Sequence, residues 1–175
     1  MSFSVDPQHS AIEFSVRHMM IAKVRGSFTK WKATAELNPA ALESSNVSVE
    51  IEVDSIQTGD KDRDAHLKGD DFLDAANHPV ITFRSSAISP KGEGSYELTG
   101  DLTIRGVTKP VTFAVEAMGP AKDPWGNMRY GFTLEGQISR EDYGLTWNQV
   151  LETGGVMLGK EVKLFGDLQV VQAAG

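Results

Sequence analysis

YELTGDLTI, residues 96–104, alternates without a break. Tyr96, Leu98, Gly100, Leu102 and Ile104 fall on one side, and Glu97, Thr99, Asp101 and Thr103 on the other. Side chains of a β-strand project to opposite faces with period two, so this is the pattern of a strand with one buried face. The same alternation recurs along the chain. Ile12, Phe14, Val16 and His18 share a face opposite Glu13, Ser15 and Arg17, and further runs occupy 47–53, 81–85, 111–117 (opened by Pro110), 130–138 and 162–170. Another run starts with Val24, Gly26 and Phe28 and then changes parity to Trp31, Ala33, Ala35 and Leu37. A one-residue slip of this kind is what a β-bulge produces, so a bulge is predicted near Thr29 and Lys30.

Eight such runs, most of them joined by short turns, predict an all-β chain: an eight-stranded antiparallel barrel in one domain spanning 1–175. Gly26, Gly100, Gly136 and Gly166 inside the runs suit the bends and close approaches of a closing sheet. A barrel of this size either fills itself with side chains or encloses one small ligand. The buried faces carry so little chemistry that they point to holding an apolar molecule rather than to catalysis.

Two segments interrupt the strands. TGDKDRDAHLKGDDFLDAANHP at 58–79 reads as a helical insert of two small helices, with Asp60 and Asp70 as candidate N-caps. Residues 139–160 carry Tyr143, Leu145, Trp147, Val150, Leu151, Val156, Met157 and Leu158 without a clean period. Long segments of this kind tend to be functional. The functional reading is a pair of flaps over one end of the barrel; the alternative, a plug that completes the core, stays open.

Seventeen Lys and Arg against twenty-four Asp and Glu leave a formal charge of −7, which disfavours nucleic acid and anionic headgroups. With no cysteine, disulfides and Cys-based metal sites are excluded. No run of eighteen apolar residues exists, so the chain is not expected to be an integral membrane protein. The start, MSFSVDPQHSAIEF, has neither a basic n-region nor an apolar h-region. The cytoplasm is the expected location, and the periplasm or secretion the alternative if a leader has been removed.

Arg63, Asp64 and His66 form the densest polar group. In a catalytic reading Asp64 and His66 are acid–base candidates; the alternative is that Arg63 and Asp64 anchor the insert to the sheet. His9, His18, His66 and His78 are too scattered for metal-ligand spacing, so no metal and no catalytic residue is assigned. No phosphate loop, nucleophile elbow or dinucleotide fingerprint appears. Trp31 and Trp125 read as core or rim residues, and Trp147, in the apolar loop, as the best tryptophan for ligand contact.

Several ordered blocks together resemble the YceI-like family of polyisoprenoid-binding proteins. They are DPQHSAIEFSVRH at 6–18, GSFTKW at 26–31, SIQTGDKDRDAHLKGDDFLDAANHPVITFRSS at 55–86, GDLTIRGVTKPVTF at 100–113, and SREDYGLTWN followed by LGKEVKL. The resemblance implies a lipocalin-like barrel whose hydrophobic pore takes up a long isoprenoid chain, such as that of a quinone or a prenyl diphosphate. It also implies that many relatives are exported.

The expectation is therefore a non-enzymatic protein that sequesters or carries an apolar isoprenoid lipid, with no other cofactor; the alternative is an enzyme acting on an isoprenoid or related lipid with Asp64 and His66 as acid–base groups. The predicted pore lining is Phe14, Val16, Phe28, Val49, Ile51, Phe83, Leu98, Leu102, Phe113, Phe132, Leu134 and Leu164, with Trp147 at the flap. His18, Arg63 and Arg140 are predicted headgroup contacts at the mouth. A homodimer through a barrel edge or end is the candidate assembly.

Overall fold

A computed structural model describes residues 3–19, 21–149, 151 and 157–172. Eleven strands form one antiparallel sheet: β1 (Phe3–Val5), β2 (Ala11–His18), β3 (Ala22–Phe28), β4 (Trp31–Glu36), β5 (Asn46–Glu52), β6 (Ile56–Gln57), β7 (Val80–Gly92), β8 (Ser95–Ile104), β9 (Val107–Lys122), β10 (Met128–Ser139) and β11 (Leu158–Gln172). Among the described residues one α-helix, α1 (Lys61–Lys68), interrupts them.

The order along the sheet is β4-β5-β7-β8-β9-β10-β11-β2-β3-β6, with β1 paired to β11. Its two ends are joined by the chain itself, because β4 continues β3 and β6 continues β5. Phe28 pairs with Ile56 and Trp31 with Ile51. Between them the Thr29 N–H donates to the Ser55 carbonyl at 3.2 Å and the Glu52 N–H to the Lys30 carbonyl at 3.0 Å. The strand count exceeds the eight expected from the alternation because β1 with β2, β3 with β4, and β5 with β6 are each a bent run divided in two, which leaves eight positions round the curled barrel.

Two local expectations are corrected. The parity change at Thr29 and Lys30 is no bulge but a corner at which the chain leaves the ladder with β2 and joins β5. A corner and a bulge both shift parity by one, so the pattern alone does not separate them. The second small helix is absent: Asp70 caps no helix, and residues 69–77 fold as turns against the end of α1. The Leu73 N–H reaches the Leu67 carbonyl and the Asp74 N–H that of Gly69, while Asp74 adopts a left-handed φ of 49° that stops a helix.

The quoted stretch behaves as its pattern requires. Leu98, Leu102 and Ile104 are buried, and together with Ile51, Ile81, Val111, Val115 and Ile138 they belong to a single core cluster. Full burial of each such aliphatic side chain contributes about 1.5–3 kcal/mol. All loops between β8 and β9, and between β10 and β11, lie at the same barrel end as α1; the β9–β10 turn lies at the other. There Arg129 binds Asp6 and Asp123, both at 2.9 Å, and its hydrogen bond holds the Asp6 carboxyl down at about 2.

Candidate functional site

Inside the curl is an apolar cavity of about 320 Å³. Every predicted pore residue lines it except Phe132, which lines a second apolar cavity of about 80 Å³ further from α1. Val47, Leu98, Leu134 and Leu168 border both and so form a septum between them.

The strand glycines have a use that their reading as bends did not give. A methyl group at Gly26 would collide with the Phe14 ring, one at Gly100 with the Phe83 ring, and one at Gly136 would lie 2.6 Å from Cδ1 of Phe113. Each glycine is a seat that lets a cavity-lining ring lie flat against the neighbouring strand. Phe83 and Phe113 then meet edge to face at 5.4 Å, and Phe14 lies 5.6 Å from Phe28.

The polar lining gathers at one end. Apart from Glu13, the titratable lining residues are His18, Arg63, His66 and Arg140, and around them lie Phe72, Leu145, Trp147 and Met157. Both interrupting segments therefore cover the same mouth. His66 stacks edge-on against Trp147 at 4.8 Å and against Phe72 at 5.0 Å, which joins the helical insert to the late loop. The Val150 and Val156 positions named for that loop lie outside the described residues.

Asp60 caps α1 as expected, accepting from the N–H groups of Asp62 and Arg63. Arg63 donates through Nε to the Thr58 hydroxyl at 2.8 Å and through Nη2 to the Thr58 carbonyl at 2.7 Å. Asp64 accepts from the Thr58 N–H and hydroxyl. Both residues thus fix the start of the insert, while His66 pairs with Asp71 at 2.9 Å. Asp64 and His66, the acid–base candidates, have separate partners.

Arg140 is only 3% exposed. It donates to the carbonyls of Gly159 at 2.8 Å, Leu145 at 2.6 Å and Trp147 at 2.9 Å. Among the described residues it has no carboxylate partner, and burial pushes its pKa down. The side-chain amide of Asn148 adds two bonds to the Leu158 backbone, so the loop is tied to the start of β11. Beside it Tyr143 is 1% exposed, its hydroxyl has no partner among the described residues, and burial raises its pKa to about 12. Phe72, Leu67 and Leu145 were not named from the sequence as lining residues. They lie where no period distinguishes an inner from an outer face, and Tyr143 and Arg140 carried no signal of their burial.

A curled antiparallel barrel around an apolar cavity, with its polar groups collected at one covered mouth, defines a lipocalin-like fold. Within that class the chain belongs to the YceI-like family, whose YceI-like domain matches residues 3–170. A UPF0312 protein of Staphylococcus aureus is 40% identical over 163 residues, covering 93% of this chain and 92% of its own. The crystal structure of BcnA from Burkholderia cenocepacia superposes with a TM-score of 0.83 at 28% identity, covering 95% of this chain and 99% of that one. A polyisoprenoid binding domain from Saccharophagus degradans shares the fold at a TM-score of 0.67 and 15% identity, covering 99% of both chains.

Proposed function

We propose that this protein binds one apolar lipid of isoprenoid type in the barrel and holds it away from water without transforming it. The observation that carries the reading is the cavity itself: about 320 Å³, lined by aliphatic and aromatic side chains, with cationic groups only at its mouth. That volume lies at the lower end of the ~300–1,000 Å³ typical of ligand sites. A saturated or prenyl chain has no hydrogen-bonding atoms, so its affinity comes from burial at about 0.8 kcal/mol per CH₂ before association costs. The shared fold of the polyisoprenoid binding domain from Saccharophagus degradans supports the isoprenoid class.

In this reading the lipid tail lies against Phe14, Phe83, Phe113 and Leu102, and the headgroup sits among His18, Arg63 and Arg140. The three do not contribute alike. The Arg140 donors are committed to backbone carbonyls, so it offers charge, whereas Nη1 of Arg63 has no partner among the described residues and is free to donate.

Native mass spectrometry and organic extraction of the protein purified from its own host test the proposal. An apolar ligand is expected, and adding prenyl lipids to stripped protein at 100 times their Kd should raise stability by about 2.7 kcal/mol. Recovery of no lipid, together with no thermal shift, overturns it.

A further inference from the structure

The hairpin between β2 and β3 stands beside the mouth. His18 at its base lines the cavity, and the Met19 N–H donates to the carbonyl of Met157, another lining residue, at 2.6 Å. At the tip Ile21 is 85% exposed and Met19 46%. These are large exposed apolar side chains that no element among the described residues covers, immediately next to an opening that leads to an apolar interior. Solitary exposed apolar residues need no explanation, but here they share one tip with an unusual set of charges.

Arg17 and Lys23 face each other across the hairpin, and Arg25 lies opposite Ser15 on the same outer side. All three are exposed, and among the described residues none is in an ion pair. Residues 17–25 contain no Asp or Glu, although the chain carries −7 overall. The nearest acids along these ladders are Glu161 on β11, across from Arg17, and Glu13, diagonal to Arg25, so Lys23, nearest the tip, is the cation with no acid beside it on these ladders. At physiological ionic strength charges are screened over about 8 Å, so the acids on the rest of the molecule do not cancel the charge of Lys23 beside the tip.

We infer that this hairpin docks the protein on an anionic lipid bilayer, with Ile21 and Met19 entering the headgroup boundary and Arg17, Lys23 and Arg25 facing the phosphates. An apolar tip rimmed by cations is the chemistry of an interfacial anchor. Its place next to His18 and Met157 would bring the mouth to the membrane, so a lipid could pass between bilayer and barrel without crossing water. This last consequence rests on the pore reading above; the docking itself does not.

The test is co-sedimentation of the full chain with vesicles of phosphatidylcholine alone and of phosphatidylcholine mixed with phosphatidylglycerol. Wild type should bind the mixed vesicles and lose them as salt rises. Ile21→Ser should weaken binding about tenfold, and Arg17→Gln and Lys23→Gln about fivefold each. All three sites are exposed, and circular dichroism checks that the fold is kept. Trp125→Ser is the control: Trp125 is 77% exposed but sits in the turn at the other end of the barrel, so its loss should change nothing. Equal binding to both vesicle types, or binding that ignores Ile21 and Lys23, overturns the proposal, as does capture by a protein partner with no vesicle binding. If wild type docks but takes up no prenyl lipid delivered from detergent, the docking stands and the pore reading falls.

Discussion

Tyr143 and Arg140 sit one turn apart and show opposite solutions to the burial of a polar group. Arg140 satisfies its donors with backbone carbonyls and so fastens the flap, whereas the Tyr143 hydroxyl finds no partner among the described residues. An unsatisfied buried hydroxyl costs about 1–3 kcal/mol, and its removal with retention of shape recovers part of that. Tyr143→Phe is therefore expected to leave stability unchanged or raise it by about 1 kcal/mol in urea melts. The pH dependence gives a second readout. The folded-state pKa of about 12 lies above the ordinary value of 10.0, so folding keeps the phenol protonated. Its contribution is complete below pH 10 and is lost as pH rises through 12. Wild type should lose stability over that window, and Tyr143→Phe should lose less; identical alkaline profiles for the two would refute the burial argument. In SREDYGLTWN Tyr143 stands out as apolar and Arg140 as a cation, but nothing marks the Arg140 guanidinium or the Tyr143 hydroxyl as buried beside the exposed Glu141 and Asp142. Burial of a polar side chain depends on which carbonyls the fold brings near it, and that is a long-range property.

At the level of elements, strands with one buried face were legible because period two survives in any environment that has an inside and an outside. That is why the run at 96–104 and its counterparts located the eight positions of the barrel. The pattern carried less where it changed or stopped. Parity alone left the corner at Thr29 and Lys30 looking like a bulge, and the turn-forming Asp74 ended the insert after one helix. The strand glycines are visible in the sequence but their partners are not, since the ring over Gly26, Gly100 or Gly136 comes from a neighbouring strand. Gly136→Ala tests that pairing. The new methyl has β10 behind it and Phe113 2.6 Å in front, so the ring must move toward Phe83 and into the cavity. Overpacking of this kind costs about 1–3 kcal/mol. Denaturant melts should show that loss, and the thermal shift given by a prenyl ligand should shrink because the cavity is smaller. A full ligand shift in Gly136→Ala would mean that the ring has room elsewhere.

For the molecule as a whole, the division of its interior decides how long a chain can enter. The cavity by the mouth and the one lined by Phe132 share Val47, Leu98, Leu134 and Leu168, so a chain longer than the first must displace these side chains to reach the second. Closely packed interiors resist such displacement, since contacts are lost before new ones form. The expected behaviour of stripped wild-type protein toward geraniol, farnesol and geranylgeraniol is a thermal shift that rises with length and then levels off. Leu134→Ala removes a side chain that touches both spaces. It should cost about 2–5 kcal/mol in the empty protein, as large-to-small core changes do. In return the plateau should move to a longer prenol, because the chain now fills the space that the leucine vacated and continues past it. Leu102→Ala, which enlarges only the cavity by the mouth, should cost a similar amount and leave the plateau where it was. If both variants shift the plateau equally, volume alone sets the preference; if only Leu134→Ala does, the position of the barrier along the barrel sets it.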